Sequence, residues 1–196
     1  FGNCKMSENF TLGDKFDTSN VTDISGMFQS CKLPENFTLG YKFDTSKVSH
    51  MENMFKNCQL PKDFILGNNF NTSKVIYMNG MFKHCKLPEN FSLGNKFDTT
   101  NVEDMDYMFH KCQLPENFTL GDKFDLSNRP SVIGMFKNCK LPENFSLEDK
   151  FGASNATKMR SSVEDMMPNL IGSLLIEEDS NENRAIIYLD RFLKYQ

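Results

Sequence analysis

Several features that point to particular classes of protein are missing from this 196-residue sequence. No apolar run approaches the roughly 18 to 20 residues that a membrane-spanning helix needs, so we expect no membrane insertion. The 22 basic and 26 acidic residues leave a net charge of −4. Since binding to nucleic acid or to an anionic membrane usually depends on a basic surface, this balance argues against both partners. No segment has the pattern of a secretory signal peptide.

Motifs that carry catalysis or cofactor binding are missing as well. The chain has no Gly-x-Ser-x-Gly, no His-Glu-x-x-His and no glycine loop that could hold phosphate. Its only histidines, His50, His84 and His110, occupy three different positions of the repeat described next, so they cannot form a column. We therefore expect no enzyme activity, no cofactor and no metal site.

A 27-residue repeat fills most of the chain. One cysteine occurs in every copy, at Cys4, Cys31, Cys58, Cys85, Cys112 and Cys139. A Met-Phe pair recurs with the same step, first at Met27 and last at Met135. A fixed period between 20 and 50 residues is typical of solenoids, in which each copy stacks on the next. Because Phe1 aligns with Phe28, the chain begins inside a repeat, and we expect a fragment of a longer protein or one whose leader has been removed.

The first part of each copy predicts a strand. In the second copy, Pro34 disfavours helix in the residue before it and cannot donate to a ladder, so it marks the strand entry. Apolar and polar residues then alternate over residues 36–39, as in a sheet with one buried face. Gly40 ends this segment at a position where glycine recurs, which indicates a corner with positive φ.

The second part of each copy predicts a short helical turn. Asp44, Thr45 and Ser46 supply oxygens that can cap a helix. The apolar residues that follow have helical spacing, at Val48, Met51, Met54 and Phe55. Since no copy can bury its own apolar side, stacking must create a continuous core of Phe, Leu, Val, Met and Cys columns.

The string Phe-Asp-Thr-Ser-x-Val-x-x-Met-x-x-Met-Phe-x-x-Cys occurs at residues 43–58 and, with changes, at 16–31, 70–85 and 97–112. It resembles the repeats of BspA-like leucine-rich-repeat proteins of bacterial surfaces, over about residues 1–163. The resemblance implies a leucine-rich-repeat-like solenoid with a parallel sheet along one side. Members of that class are mostly surface or secreted proteins used for adhesion and recognition.

Spacing and resemblance together predict an α/β repeat solenoid. It is a right-handed coil with a parallel β-sheet on one side and short helical turns on the other. We place the repeats at residues 1–156 and a C-terminal helical cap or tail at 157–196, the alternative being a linker into a partner-binding helix. The first copy has no cap, so we expect that it allows end-to-end self-association.

One cysteine per copy predicts a column of unpaired thiols whose neighbours lie roughly 4.8 Å apart along the stack. A small buried thiol packs there as a hydrophobic side chain. Disulfides or a bound metal are the alternative.

Polar residues on the outer face of the predicted strands are the best candidates for partner binding. In four successive copies they occupy two columns, at Asn36, Asp63, Asn90 and Asn117 and at Thr38, Ile65, Ser92 and Thr119. These side chains are suited to a protein or glycan ligand, although they could also be an ordinary solvated face. A column of lysines at the Lys15 position and a column of aspartates at the Asp17 position are interpreted as turn capping and surface ion pairing.

The sequence thus predicts a non-enzymatic bacterial surface or secreted module that recognises a protein or glycan. The alternative is an intracellular protein-interaction module, such as the targeting part of an effector or an immunity-type protein. Reduced cysteines would favour the intracellular module.

Overall fold

The structure is a computed structural model of the chain and describes residues 1–161. Each repeat is counted here from the residue after one cysteine to the next cysteine, at 5–31, 32–58, 59–85, 86–112 and 113–139. Residues 27 apart lie beside each other in parallel orientation, as in the pairs Lys32 with Gln59 and His50 with Tyr77. Two helices follow the last full repeat, α1 at Leu147–Phe151 and α2 at Ala153–Arg160.

The predicted α/β solenoid with a parallel sheet is wrong. The parallel pairs are isolated bridges at two positions of the repeat, and residues 1–161 contain no continuous strand. No helix occurs within any of the five repeats either, since both described helices begin after residue 139. Each repeat is instead a succession of tight turns and extended single residues, and the hydrogen bonds between repeats organise it.

The predicted helical segment shows why the backbone is not helical. In the second repeat the N–H groups of Met51, Asn53, Phe55 and Asn57 donate to carbonyl oxygens of the next repeat, at 2.7 to 2.9 Å. The intervening N–H groups of Met54, Lys56 and Cys58 close turns three residues back. This alternation requires a left-handed backbone at Asn53 and Asn57, both with φ of 55°. A residue with φ in that range cannot continue a right-handed α-helix, so the segment forms stacked turns.

The predicted strand at residues 36–39 does not pair with its neighbours. The N–H of Phe37 donates to Pro34 and closes a turn, and among residues 1–161 no backbone bond joins this segment to the next repeat. Ring centroids of Phe37 and Phe64, at equivalent positions, are 6.5 Å apart. The rings at this position are thus farther apart than those of Phe55 and Phe82, which are 5.6 Å apart where the backbone is bonded between repeats.

The core contains the columns that the sequence predicts. Phenylalanines at one position form a ladder of stacked rings with centroids 5.3 to 5.7 Å apart and planes within 10°. Its members are Phe28, Phe55, Phe82, Phe109 and Phe136. A second phenylalanine meets most of them edge to face, as Phe64 meets Phe55 at 5.4 Å. Such pairs add about 0.5–1.5 kcal/mol to the free energy that burial alone contributes.

In the first four repeats a buried threonine links the repeat to the next one, at the position where the sequence predicted only helix capping. The hydroxyl of Thr72, fully buried, donates to the carbonyl of Asp98 at 2.8 Å and accepts the N–H of the same residue at 2.7 Å. Thr45 and Thr99 make the same two bonds to residues 71 and 125. The side chain therefore replaces a backbone pair between repeats.

Helix α2 closes the last full repeat. Its carbonyls at Lys158 and Met159 accept the N–H groups of Gly134 and Phe136, at 2.7 and 2.8 Å. The last carbonyls of a helix have no partner within the helix, so they are free to accept these bonds. The rest of the predicted C-terminal cap, residues 162–196, lies outside the described residues. No helix among residues 1–161 is long and apolar enough to cross a bilayer.

Candidate functional site

The residues predicted to bind a partner all lie on the surface. We call them the polar face: Asn36, Thr38, Asp63, Ile65, Asn90, Ser92, Asn117 and Thr119, each of them exposed. Buried neighbours determine this orientation, since Phe37 and Leu39 on either side of Thr38 are only 3% and 4% exposed. Ile65 is 60% exposed and is one of only three large hydrophobic residues on the described surface.

The polar face continues into a cleft at the end of the array. This end cleft has a volume of about 460 Å³ and is lined by Asn117 and Thr119 together with Asn144, Ser146, Asp149 and Lys150. Ser146 accepts the N–H of Asp149 at 3.1 Å and so caps α1, whose second residue, Glu148, stands where earlier repeats have their corner glycine. The cleft therefore combines two predicted site residues with amide, hydroxyl and charged groups of the terminal segment.

A second polar surface was not predicted. Between the Met-Phe pair and the next leucine, each repeat has four residues that include no acidic side chain, and we call this surface the basic strip. It comprises residues 29–32, 56–59, 83–86, 110–113 and 137–140. Its cationic and titratable members are Lys32, Lys56, Lys83, His84, Lys86, His110, Lys111, Lys137 and Lys140.

The centre of the basic strip brings two histidines together. The rings of His84 and His110 are 5.4 Å apart, although the two residues differ by one position in the repeat. The ammonium of Lys83 lies 4.9 Å from the ring centroid of Tyr107, which in turn packs edge to face against His110. The histidines form no column, as expected. Residues at neighbouring positions of adjacent repeats can nevertheless be in contact, which the sequence analysis did not consider.

Positive charges repel one another within this cluster. Burial, followed by the charges of Lys56 and Lys111, lowers the pKa of Lys83. Burial, followed by the charges of Lys83, Lys111 and Lys56, lowers the pKa of His84. Burial and repulsion from Lys83, His84 and Lys111 lower the pKa of His110 to about 4. Every neighbouring charge that shifts these three pKa values is positive, so the cluster forms a concentrated positive field.

A groove of about 730 Å³ runs along the N-terminal half of the basic strip. It is lined by Lys5, Lys32 and Lys86 together with Asn57, Gln59 and His84. These residues come from four successive repeats, so the groove crosses the stack. Its volume lies in the range of about 300–1,000 Å³ that is common for ligand sites.

The cysteines lie beneath the strip as free thiols, and four of the six, Cys31, Cys58, Cys85 and Cys112, are buried as predicted. Cys85 and Cys112 donate to carbonyl oxygens of the preceding repeat at 2.9 and 2.8 Å. Burial raises the pKa of Cys85 to about 12. Since the thiolate is the reactive form, the buried thiols are structural and unreactive.

The remaining candidate columns have local roles. Asp17, Asp98 and Asp125 each accept the N–H of the residue two positions on, at 2.8 to 3.0 Å, which supports the predicted turn capping. These bonds and those from the neighbouring hydroxyls lower the pKa of each carboxyl. No group of three or more His, Cys, Asp or Glu residues within 1–161 is arranged to hold a metal ion.

These features define a tandem-repeat protein with rows of exposed, mostly polar side chains on a buried aromatic core. The chain belongs to the family described as Mycoplasma protein of unknown function, DUF285, which matches residues 1–87 and 65–169. No curated protein and no solved structure matches the chain. The resemblance to BspA-like repeats therefore stays a prediction.

The basic strip and the threonine links escaped prediction for different reasons. The total charge of the chain is close to balanced, so composition does not indicate a basic surface. Summing the charge over equivalent positions of the repeat would have revealed the basic strip. The threonines at Thr45 and its equivalents were assigned to capping because Asp-Thr-Ser is a common helix start. Only the stacking geometry shows that Asp44 caps while Thr45 bonds to the next repeat.

Proposed function

We propose that this protein is a non-enzymatic recognition module of a bacterial surface or secreted protein, and that its polar face binds a protein or glycan. The observation that carries this proposal is the end cleft. There the polar face meets the terminal segment in a depression of about 460 Å³ that contains Asn117 and Thr119. A concave site with several convergent polar groups is the usual form of a small ligand site.

The chemistry of the polar face suits sugar hydroxyls or a peptide backbone. Its amides and hydroxyls both donate and accept hydrogen bonds, and they recur in three of the four repeats, the third repeat having Asp63 and Ile65 instead. The buried phenylalanine and leucine columns hold the chain segment behind them, so the groups are positioned before a ligand arrives. Pre-organised groups lose less conformational entropy on binding, which favours affinity.

The experiment that tests this proposal is binding of the full chain to an array of cell-surface glycans and matrix proteins. The test variant carries Thr38→Arg, Asn117→Arg and Thr119→Arg. The control carries Asn68→Arg, Asn95→Arg and Ser154→Arg at exposed positions outside the polar face. Free heparin is present throughout, so that contacts made only through sulfate groups do not contribute.

We expect the wild-type chain to bind at least one spot on the array. The polar-face variant should weaken that binding by about tenfold or more, the size expected when central contacts are blocked. Both variants should keep the wild-type melting temperature, because all six positions are exposed. The proposal is wrong if no spot is bound, or if the polar-face variant binds as well as the control.

A second candidate is an intracellular protein-interaction module, and the free cysteines favour it. Disulfides form in oxidising compartments, and all six thiols in this structure are unpaired. Protease treatment of intact cells that produce the protein separates the two locations. A surface protein is cleaved while the cells remain whole, whereas an intracellular one is cleaved only after lysis.

A further inference from the structure

The basic strip is a surface for which the polar face and its ligand give no explanation. Its five segments contain seven lysines and two histidines without one aspartate or glutamate, although the chain as a whole is acidic. Lysine ammonium groups of adjacent repeats repel one another, and after burial the charges of Lys56 and Lys111 are what lowers the pKa of Lys83. A bound anion would relieve this repulsion, and a groove of about 730 Å³ is present to receive one.

Residues of the basic strip recur along the array with the same spacing as the repeats. Lys56, Lys83 and His110 each follow directly after a member of the phenylalanine ladder. The rings of that ladder recur every 5.6 to 5.7 Å over these three repeats. Since the pKa of His110 is lowered to about 4, its ring is neutral at pH 7, and the neighbouring Lys111 carries the charge of that repeat. One lysine per repeat therefore recurs along the row, at Lys56, Lys83, Lys111 and Lys137, and the row crosses several repeats. Such a row fits an extended polymer that bears anionic groups at intervals better than it fits a single small anion.

The side chains of the strip discriminate between kinds of anionic polymer. All of its cations are lysines, which bind anionic groups as point charges and not through a planar fork. Single-stranded nucleic acid is normally held by aromatic rings on which bases stack. The strip contains no Phe, Tyr or Trp. Its two rings, those of His84 and His110, pack against each other, and His110 also packs against Tyr107. Nucleic acid is therefore disfavoured.

Neutral amides lie between the cations. Asn57, Gln59, Gln113 and Asn138 are exposed members of the strip, and Asn57 and Gln59 also line the groove. An amide can donate to one hydroxyl and accept from another, as a sugar ring requires. We propose that the basic strip binds a linear anionic polysaccharide, with its sulfate or carboxylate groups on the lysines and its hydroxyls on these amides.

The experiment uses the full chain and a heparin octasaccharide of defined length, with affinity measured at about 0.15 M salt, where the Debye length is about 8 Å, and over a series of higher salt concentrations. The test variant carries Lys83→Gln, Lys86→Gln and Lys111→Asn. Each new residue already occupies the equivalent position of another repeat, at Gln29, Gln59 and Asn57. The matched control carries Lys15→Gln, Lys42→Gln and Lys96→Gln, which removes the same charge from another exposed column.

We expect the strip variant to bind the octasaccharide at least about tenfold more weakly than wild type, with a shallower dependence on salt. The control variant should stay within about twofold, since charges that do not contact the ligand contribute little. An oligothymidylate and a polyglutamate peptide, tested in parallel, should bind more weakly than the octasaccharide. The proposal is overturned by equal losses in the two variants, by no binding to wild type, or by tighter binding of either competitor.

A second measurement on the unmodified chain guards against misfolding of the variant. Lysine acetylation with and without the octasaccharide reports which ammonium groups are covered. Lys86 and Lys111 should be protected, while Lys15 and Lys42 should react at unchanged rates. Absence of protection at the strip overturns the proposal even if the variants behave as expected. Since this test involves no residue of the polar face, it can fail or succeed independently of the proposed function.

Discussion

The hydroxyl of Thr72 offers the sharpest test of how the repeats are joined. Replacing it with valine keeps the size and shape of the side chain but removes the oxygen that bonds to Asp98. That oxygen donates at 2.8 Å and accepts at 2.7 Å, and the Thr72 side chain is fully buried. The substitution therefore leaves the N–H and the carbonyl of Asp98 without these partners.

The expected cost follows from the two bonds. Each hydrogen bond contributes about 1 kcal/mol net, and a donor left unpaired in a buried site costs about 1–3 kcal/mol. Thr72→Val should therefore lower the free energy of unfolding by about 2–4 kcal/mol. The fifth repeat has Leu126 at the position of Thr72, and leucine has no hydroxyl. The junction after the fifth repeat therefore already lacks these two bonds.

Urea unfolding of the full chain, followed by far-ultraviolet circular dichroism, measures the effect. Thr38→Val is the control, because Thr38 is exposed and its substitution should change stability by no more than about 0.5 kcal/mol. The slope of the transition should stay the same in both variants, so that midpoints can be compared. If Thr72→Val costs no more than Thr38→Val, the hydroxyl does not hold the repeats together.

Three further predictions concern the core, the basic strip and the thiols. Phe97→Ala should lower the free energy of unfolding by about 3–5 kcal/mol in the same assay, because the side chain is 1% exposed in a packed core. His110→Gln should reduce the loss of melting temperature between pH 7 and pH 4.5. The pKa of His110 is held at about 4 in the folded chain against an ordinary 6.5, so the unfolded chain takes up the proton first. Stability from this group is thus full above pH 6.5 and is lost as pH falls towards 4. Iodoacetamide should modify exposed Cys4 in the native chain and should modify Cys85 only after unfolding.

For each of these three predictions, one result would contradict it. A cost below about 1 kcal/mol for Phe97→Ala would place that ring at the surface. Equal pH dependence in wild type and His110→Gln would mean that burial and the cations around the ring do not suppress its protonation. The groups that face the His110 ring are Lys83, His84, Tyr107, Lys111 and Lys137. Rapid labelling of Cys85 in the native chain would show that the cysteine column is open to solvent.

Burial could be predicted from the sequence, but the backbone could not. Phe37 and Leu39 point inward and Thr38 outward, as their alternation predicts. Alternation requires only an extended chain, however, and does not reveal whether that chain pairs with a neighbour. Likewise Met51 and Phe55 are fully buried at helical spacing, but stacked turns bury the same positions.

One signal in the sequence did oppose a helix. The position of Asn53 carries glycine in three other repeats, at Gly26, Gly80 and Gly134, and all four residues have positive φ. Glycine and asparagine are the residues that most easily adopt a left-handed backbone. Their recurrence within an otherwise helical pattern indicates a turn that the apolar spacing alone conceals.

Amide hydrogen exchange followed by nuclear magnetic resonance tests most directly whether stacked turns, rather than a β-sheet, join the repeats. The N–H groups of Phe55 and Asn57 donate to the next repeat and should exchange slowly. The N–H of Thr38, in the segment that makes no backbone bond to the next repeat, should exchange at least about a hundredfold faster. Slow exchange at Thr38 and its equivalents, together with fast exchange at Asn57, would contradict this account and restore a paired strand at residues 36–39.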